Sequence, residues 1–307
     1  MGNYLAAIWR CRFFWLSLVK MDLRTRYRRS ILGMGWSLLH PIAMTVIICL
    51  VFRKLLKQDI QDFAPYLLGG LACWNYILTS TSVGCQSLFQ GESYIRQYPA
   101  PLAIYPLRTT LGATIHFLMA LLVVFTLTSC IRLYYRNSPV ATGHTVAAPL
   151  KLATYQPAEE SEAEAATHSP AGVQAPPPRT AWHFLPLLTL LPTLCLLFVF
   201  CWSLAVLAGF SNVFFQDTQH LCEVGFQILF YMTPIMYPKS ILENNGLSWL
   251  LYVNPIAPML DLIRDPIVEA RFPLWTTYAT ACGLVGLVAG AAILAMARLQ
   301  RRVIFYM

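Results

Sequence analysis

Six long apolar stretches separated by polar segments dominate the hydropathy pattern of this chain. A helix needs roughly 20 apolar residues to cross the ~30 Å hydrocarbon core of a bilayer, and stretches of about this length meet that requirement. The pattern therefore predicts an all-α integral membrane protein with six transmembrane helices. The apolar stretches cover residues 33–52, 66–89, 109–131, 183–209, 222–238 and 274–297.

The residues before the first apolar stretch follow an amphipathic pattern instead. One face of the predicted helix is apolar and carries Leu5, Ile8, Trp15, Leu18 and Val19. The opposite face is cationic and carries Arg10, Arg12, Lys20, Arg24, Arg28 and Arg29. Aromatic and aliphatic side chains opposite arginines are typical of a helix that lies in the membrane interface. We predict that residues 1–32 form such an amphipathic interface helix on the cytoplasmic surface.

Polar segments divide the rest of the chain into regions. The first three predicted transmembrane helices lie in 33–136 and the last three in 182–297, followed by a cytoplasmic tail at 298–307. Residues 137–181 are rich in Ala and Pro and lack an apolar pattern, which predicts a disordered extracytoplasmic insertion. The proline-interrupted amphipathic pieces near 239–271 are too short to span, so we predict short helices on the outer face.

The charge of the chain is explained by the membrane surface. The formal net charge is +8, although only 12% of the residues are charged and the mean hydropathy is +0.55. Seven of the 22 basic residues lie between Arg10 and Arg29, and three more follow the last apolar stretch. Basic residues beside transmembrane helices favour the cytoplasmic side, and six crossings place both termini on one side. We therefore predict cytoplasmic N- and C-termini, contact with membrane lipids and no nucleic-acid partner.

The sequence lacks the motifs of several kinds of active site. No G-x-x-x-x-G-K-[S/T] phosphate loop is present, so the chain lacks the usual means of binding ATP. The nine cysteines form no C-x-x-C pair and no Cys/His cluster with zinc spacing, which predicts packing roles and no bound metal. Glu223, at an edge, is the only carboxylate in the apolar stretches, whereas ion-coupled carriers usually keep charged groups at mid-membrane. The chain is thus predicted to be a transport-like bundle without a cofactor of its own, powered from elsewhere.

Five segments carry short motifs in a fixed order. They are DLRTRYRRSILGMGWSLLHP at 22–41, YIRQYP through the YP pair at 94–106, NVFFQDTQH at 212–220, TPIMYP at 233–238 and NPIAPMLDLIR at 254–264. This set resembles the ABC-2 permeases that export polysaccharides, especially the membrane subunits for O-antigen and wall teichoic acid. Two features depart from that family. Gln216 stands where the family usually has Arg before the aspartate of an inner loop, and the insertion at 137–181 is longer than the family's outer loop.

The resemblance implies an architecture and a function. It implies a homodimer in the bacterial cytoplasmic (inner) membrane, paired with two copies of a separate ABC ATPase that binds ATP and Mg. It also implies a pore at the dimer axis, through which a lipid-linked polysaccharide of the O-antigen, capsule or teichoic-acid type leaves the cytoplasm. The chain itself is expected to be a transport permease subunit and not an enzyme, with short outer gate helices between the fifth and sixth transmembrane helices.

The resemblance and the side-chain chemistry together indicate four groups of candidate site residues. Coupling to the ATPase is expected at Glu92, Arg96, Tyr98, Asn212, Phe215, Asp217 and His220. The interface helix offers Tyr27 together with Arg24, Arg28 and Arg29, and the three guanidinium groups suit a substrate pyrophosphate or, alternatively, anionic lipid headgroups. The outer gate of the family corresponds to Thr233, Pro234, Tyr237, Pro238, Asn254 and Pro255. Candidate pore aromatics are Trp74, Tyr76, Phe230 and Tyr231, although for any single one of them packing or an interfacial belt is the favoured explanation.

Three other classes of protein remain open at this point. An ABC-2 exporter of drugs or lipids has the same architecture and differs only in its substrate. A membrane-embedded glycosyltransferase or acyltransferase needs catalytic acids that cluster, whereas Asp22, Glu92 and Asp217 are scattered along the sequence. A scaffold subunit needs no transport path at all. A neighbouring gene for a soluble protein with a phosphate loop would favour the exporter over the enzyme and the scaffold.

Overall fold

A computed structural model describes residues 2–30, 33–56, 60–97, 100–137 and 185–306, and all regular structure in these ranges is helical. The helices are α1 (Gly2–Arg10), α2 (Arg12–Arg26), α3 (Trp36–Leu56), α4 (Ile60–Gln97), α5 (Ile104–Asn137), α6 (Leu185–Leu188), α7 (Leu190–Phe214), α8 (Thr218–Met232), α9 (Lys239–Asn244), α10 (Trp249–Val253), α11 (Ala257–Arg264) and α12 (Trp275–Tyr306). A 3₁₀ turn, Gly33–Gly35, precedes α3, and a π-helical segment, Asp265–Glu269, follows α11. The all-α prediction is confirmed for this part of the chain, whereas most of the predicted insertion lies outside it.

The long helices form one bundle with two distinguishable ends. α4 packs against α3, α5, α7, α8 and α11, so it occupies the centre. One end, called the proximal end here, carries α1, α2 and the C-terminal parts of α4, α7 and α12. The other, the distal end, carries α9 to α11, the π-helical segment and the start of α12. Most of the described candidate site residues lie at these two ends and in a groove between them, whereas Tyr76 faces another side of α4.

Four helices are long and apolar enough to cross a membrane. They are Gly33–Val51, Ile104–Tyr134, Leu185–Phe214 and Trp275–Gln300, in the described residues. They correspond to the first, third, fourth and sixth predicted stretches. The remaining two stretches correspond to α4, which is long but less apolar, and to α8, which is apolar but short. The count of six transmembrane helices stays a prediction.

α4 is long enough to span but has a polar middle. Its 38 residues correspond to about 57 Å of helix. Ser80, Thr81 and Ser87 are buried among neighbouring helices. The Thr81 hydroxyl donates a hydrogen bond to the Ile77 carbonyl oxygen over 2.9 Å. Polar side chains are tolerated in the centre of the bundle because they face neighbouring helices and not lipid. A central position in the bundle therefore explains the weaker apolar signal of α4.

α8 is apolar but short. Its 15 residues correspond to about 22 Å, less than the ~30 Å hydrocarbon thickness. The helix ends at Met232 because the next residue, Thr233, precedes Pro234, and the proline ring disfavours helical backbone in the residue before it. Thr233 accordingly adopts an extended conformation, with φ −91° and ψ 134°. The predicted stretch 222–238 is thus a helix followed by a non-helical segment, and we call residues 233–238 the distal turn.

The N-terminal helix is divided in two and docks on the bundle. Cys11 separates α1 from α2, and α2 ends at Arg26, short of the predicted boundary at residue 32. Ile8, Leu18 and Val19, from the predicted apolar face, are buried. Other apolar side chains of these helices, such as Phe13, stay exposed beside arginines. A buried apolar face and an exposed cationic surface are the features expected of the predicted amphipathic helix.

Candidate functional site

At the distal end, side chains from two other parts of the chain hold the distal turn. The phenol of Tyr66 on α4 lies within hydrogen-bond distance of the carbonyl oxygens of Pro234 (3.2 Å) and Tyr237 (3.4 Å). The amide of Asn254 donates to the hydroxyl oxygen of Thr233 over 2.7 Å, and both residues are buried. The distal turn is therefore joined to α4 and to the loop before α11.

The same asparagine begins α11. Its Oδ1 accepts a hydrogen bond from the backbone N–H of Ile256 at 2.9 Å, which satisfies a donor at the start of the helix. Pro255 lies between these two residues, and Pro238 is the residue before α9. All six residues predicted for the outer gate therefore lie at the distal end. Their role as a gate stays a prediction.

Arg264, at the C-terminal end of α11, belongs to this network but was missing from the predicted gate. Its Nη1 and Nη2 donate to the carbonyl oxygens of Pro234 (2.8 Å) and Ile235 (3.2 Å), and its Nε donates to the carbonyl oxygen of Tyr66 (3.2 Å). The guanidinium carbon lies 3.6 Å from the centre of the Tyr66 ring. The sequence did contain a signal for this residue, since Arg264 ends an apolar helix face. An arginine that such a face carries into the interior needs partners.

Ion pairs connect the remaining distal elements. Lys239 of α9 pairs with Asp261 of α11. Arg271, just before α12, pairs with Asp265 (2.8 Å) and Glu269 (2.9 Å). Burial raises the pKa of the Asp265 carboxyl, while the hydrogen bond from Arg271 acts in the opposite direction. These pairs hold α9, α11 and the π-helical segment around the start of α12.

Between the two ends, α4 and α8 enclose an open groove of about 580 Å³. Its aromatic wall is formed by Trp74, Phe226, Phe230 and Tyr231. The rings meet edge to face, with centroids 5.4 Å apart for Trp74 and Phe230 and 5.5 Å apart for Phe230 and Tyr231. Its polar groups belong to Thr79, Ser82, Glu223 and Gln227. The groove thus combines ring faces with hydrogen-bonding groups, and three of the four candidate pore aromatics line it.

Tyr76 faces a different side of α4. Its hydroxyl forms a 2.9 Å hydrogen bond with Thr114, and its ring is stacked on Phe117 with centroids 4.6 Å apart. These residues line a second pocket, of about 370 Å³, between α5 and α7, and the exposed lining of that pocket is apolar. Tyr76 therefore does not share the groove with the other three candidate aromatics.

At the proximal end, the predicted coupling residues fall into two sets. Glu92 and Arg96 form a 2.8 Å ion pair near the C-terminus of α4. Asn212 is buried in α7, and its amide donates to the Cys85 carbonyl of α4 over 3.0 Å. That position suits a residue that fixes α7 to α4. Tyr98 lies outside the described residues.

The loop between α7 and α8 presents the second set. Phe215 is 73% exposed. Asp217 and His220 are also exposed, and His220 Nδ1 lies 3.7 Å from the carboxylate of Glu223. The loop therefore offers an apolar ring flanked by polar groups at the proximal surface.

The candidate headgroup residues lie at the end of α2. Arg24, Arg28 and Arg29 are exposed, and Arg29 has a left-handed backbone with φ 67°. Tyr27 is half-buried and its hydroxyl lies 3.1 Å from Nε2 of His116 on α5, a partner that the sequence did not indicate. This arrangement keeps three guanidinium groups at the surface while Tyr27 attaches the turn to the bundle.

Comparison with protein families decides which kind of helical bundle this is. The description "ABC-2 type transporter" matches residues 14–147 and 170–268, more than half of the chain. The chain belongs to the ABC-2 type transporter family. The resemblance carried by the five segments is therefore confirmed, and every candidate site residue lies within the matched ranges. The interruption at 148–169 falls inside the predicted insertion.

Named relatives of this ABC-2 transporter are O-antigen permeases of low sequence identity. The O-antigen export system permease protein RfbA of Klebsiella pneumoniae is 22% identical over 251 residues, which cover 81% of this chain and 77% of the relative. The protein of the same name from Myxococcus xanthus is 23% identical over 268 residues, which cover 87% and 84%. Membership of a transport family fits a subunit without enzymatic activity, and it implies an ABC ATPase as partner.

Proposed function

We propose that this ABC-2 transporter is the membrane-spanning subunit of an exporter for a lipid-linked polysaccharide of the O-antigen, capsule or teichoic-acid type. Two copies pair with two copies of a separate ATPase, which binds ATP and Mg, in the bacterial cytoplasmic membrane. The proximal end and both termini face the cytoplasm. The observation that carries the proposal is the similarity to O-antigen export permeases over 81–87% of the chain.

The groove between α4 and α8 supports a saccharide as the transported group. Flat aromatic faces suit the C–H faces of sugar rings, and nearby side-chain hydroxyl, amide and carboxylate groups suit sugar hydroxyls. Tyr231 is 65% exposed and lines the groove, so its ring is accessible to a ligand. A transport path along this groove would use α8 as one wall.

The proximal surface supports coupling to the ATPase. An exposed aromatic ring such as Phe215 is the kind of side chain that anchors an interface, because its burial on binding removes a large apolar area from water. Phe215 immediately precedes α8 in sequence, apart from the short turn at 216–217. Movement of a bound partner would therefore be passed directly to the helix that walls the groove.

The first test is co-purification with the candidate ATPase in lipid, followed by measurement of ATP hydrolysis. We expect a stable complex whose hydrolysis rate changes when lipid-linked glycan is added. A rate that responds equally to the lipid carrier without sugar would indicate a lipid exporter instead. Failure of any ABC ATPase to bind would contradict the proposal.

A pair of variants on α8 tests the groove. Tyr231→Ala removes an exposed ring from the groove, whereas Ile228→Ala shortens a side chain that is 57% exposed on the same helix but does not line it. We expect Tyr231→Ala to weaken stimulation by the glycan while basal hydrolysis is retained, and Ile228→Ala to behave as wild type. Equal effects of the two variants would show that the groove does not contact the glycan.

A further inference from the structure

We propose that Arg264 is a positioning residue that keeps the distal end of the bundle closed. Its guanidinium fastens the distal turn to α4, and this contact must be released before the distal end opens. The inference rests on the proposed transport function, because it gives one residue a place in the transport cycle.

The first step of the argument concerns the carbonyl groups that Arg264 binds. Because α8 ends at Met232, the carbonyl oxygens of Pro234 and Ile235 lie outside a helix and need other donors. Arg264 donates to both from α11, together with the Tyr66 hydroxyl at Pro234, and it also donates to the Tyr66 carbonyl of α4. One side chain of α11 thus contacts both the distal turn and α4, and Tyr66 of α4, which also bonds to the distal turn, is its partner there.

The second step concerns charge. Arg264 is only 2% exposed, and no carboxylate of the described residues forms an ion pair with it. Its partners are neutral carbonyl groups and the face of the Tyr66 ring. A buried cation without a counter-charge is penalised by lost hydration, and that penalty is relieved when water reaches the site. The hydrogen bonds that hold the closed contact are therefore opposed by the lost hydration of the guanidinium, which suits a contact that opens and recloses.

The third step concerns the space that the guanidinium occupies. Gly70 of α4 faces Arg264 directly, and a Cβ atom at that position would collide with Nη2 and lie 3.1 Å from Cζ. It would also lie 3.3 Å from Cγ2 of Ile235 in the distal turn, so Arg264→Gln is the variant that separates the guanidinium from this second contact. At the neighbouring Gly69 a Cβ atom would meet only a methyl group of Val124, at an ordinary 3.7 Å. Alanine at 70 should expel the guanidinium, whereas alanine at 69 should not. The chain thereby offers a matched pair of substitutions on α4 that leaves Arg264 itself unchanged.

The test measures hydrogen exchange of the distal turn in the complex with its ATPase, in lipid nanodiscs. The amides of residues 235–237 report on the turn, since both flanking prolines lack an N–H group. Without nucleotide, we expect exchange in Arg264→Gln and Gly70→Ala to be about ten- to a hundredfold faster than in wild type and in Gly69→Ala. Unsatisfied buried carbonyl groups destabilise the closed state by a factor of this size. Arg264→Lys should give an intermediate rate, because an ammonium group retains the charge but not the planar fork.

Nucleotide separates gating from a purely structural role. In wild type, ATP with a transition-state trap should accelerate exchange of the distal turn, while in Gly70→Ala and Arg264→Gln the rate should already be high and change little. A nucleotide response that is the same in wild type and both variants would overturn the role of Arg264 and leave the transport proposal intact. Absence of any nucleotide response in wild type would count against the transport proposal. In that case, equal nucleotide-free rates in wild type and Gly70→Ala would overturn the closing contact as well.

Discussion

The ion pair between Asp22 and Arg108 allows a quantitative test of how α2 is attached to the bundle. Arg108 on α5 donates from Nε and Nη2 to the two carboxylate oxygens of Asp22 on α2. The two side chains differ in exposure, since 9% of Arg108 and 36% of Asp22 is accessible to solvent. Removing Asp22 should therefore lower the free energy of unfolding by a different amount from removing Arg108.

The expected magnitudes follow from this asymmetry. Asp22→Asn leaves a mostly buried guanidinium without its counter-charge, and Nη1 already lacks a hydrogen-bond partner among the described residues. The loss should be about 1.5–3 kcal/mol, the usual contribution of hydrogen bonds to charged groups. Arg108→Met retains the apolar stem and leaves a carboxylate that water can reach, so the loss should be about 1 kcal/mol or less. In the double variant, Asp22→Asn should lower the free energy of unfolding little beyond the loss that Arg108→Met already causes.

The assay is reversible unfolding of the purified protein in mixed micelles, with trypsin cleavage near α2 as a local probe. Glu92→Gln, in an exposed ion pair on α4, is the control and should cost at most about 0.5 kcal/mol. Wild type, the two single variants at 22 and 108 and the double variant form a thermodynamic cycle. Its coupling free energy should be about 1.5–3 kcal/mol, because Asp22→Asn should add little once Arg108 is replaced. If Arg108→Met were as destabilising as Asp22→Asn, the reasoning from unequal exposure would be refuted.

Two further predictions concern helix packing and pH. Gly84→Ala places a Cβ atom 2.7 Å from the Cα of Ala205 and forces α4 away from α7, so the free energy of unfolding should fall by about 1–3 kcal/mol. In the control, Gly112→Ala, the added Cβ atom meets nothing within 4 Å, so the substitution should be neutral or slightly stabilising. Thermal midpoints in the same lipid check this, and equal midpoints would contradict the close approach. Burial raises the pKa of Asp265 against the opposing effect of Arg271, so the folded state binds the extra proton and stability should fall as pH rises above the ordinary value of 3.8. Asp265→Asn should flatten that part of the pH–stability curve, and parallel curves would exclude the carboxyl as its source.

The fold could be predicted where the apolar composition of one continuous segment is enough to specify a helix. α3, α5, α7 and α12 were indicated by apolar stretches that carry enough residues to cross a bilayer. α4 was harder because its hydropathy reflects burial in the bundle centre, which depends on the other helices. α8 was overestimated in length because an apolar average does not register the effect of Pro234 on the preceding residue, although the proline was visible.

The site was predictable in part for the same reason. Turn-forming residues such as Thr233 and Asn254 stand in recognisable local motifs, and the structure brings them together at one end. The contact of Arg264 with Tyr66 joins residues that are 198 positions apart, and no local pattern specifies that pairing. Asp22 and Arg108, 86 positions apart, were missed for the same reason. Local chemistry therefore indicated candidate segments, whereas the side chains that hold these segments together are visible only in the tertiary packing.

α4 provides a physical connection between the two ends of the bundle. Near the proximal end, its Cys85 carbonyl accepts the buried amide of Asn212, and the adjacent Gly84 allows direct backbone contact with α7. Near the distal end, Gly70 accommodates the guanidinium of Arg264. Gly70 and Cys85 are 15 positions apart, which corresponds to about 22 Å of helix, and a helix is stiff along its axis. Displacement of α7 at the proximal end would therefore shift the surface against which Arg264 closes. A partner that moves the proximal loops could thus release the distal turn without touching it.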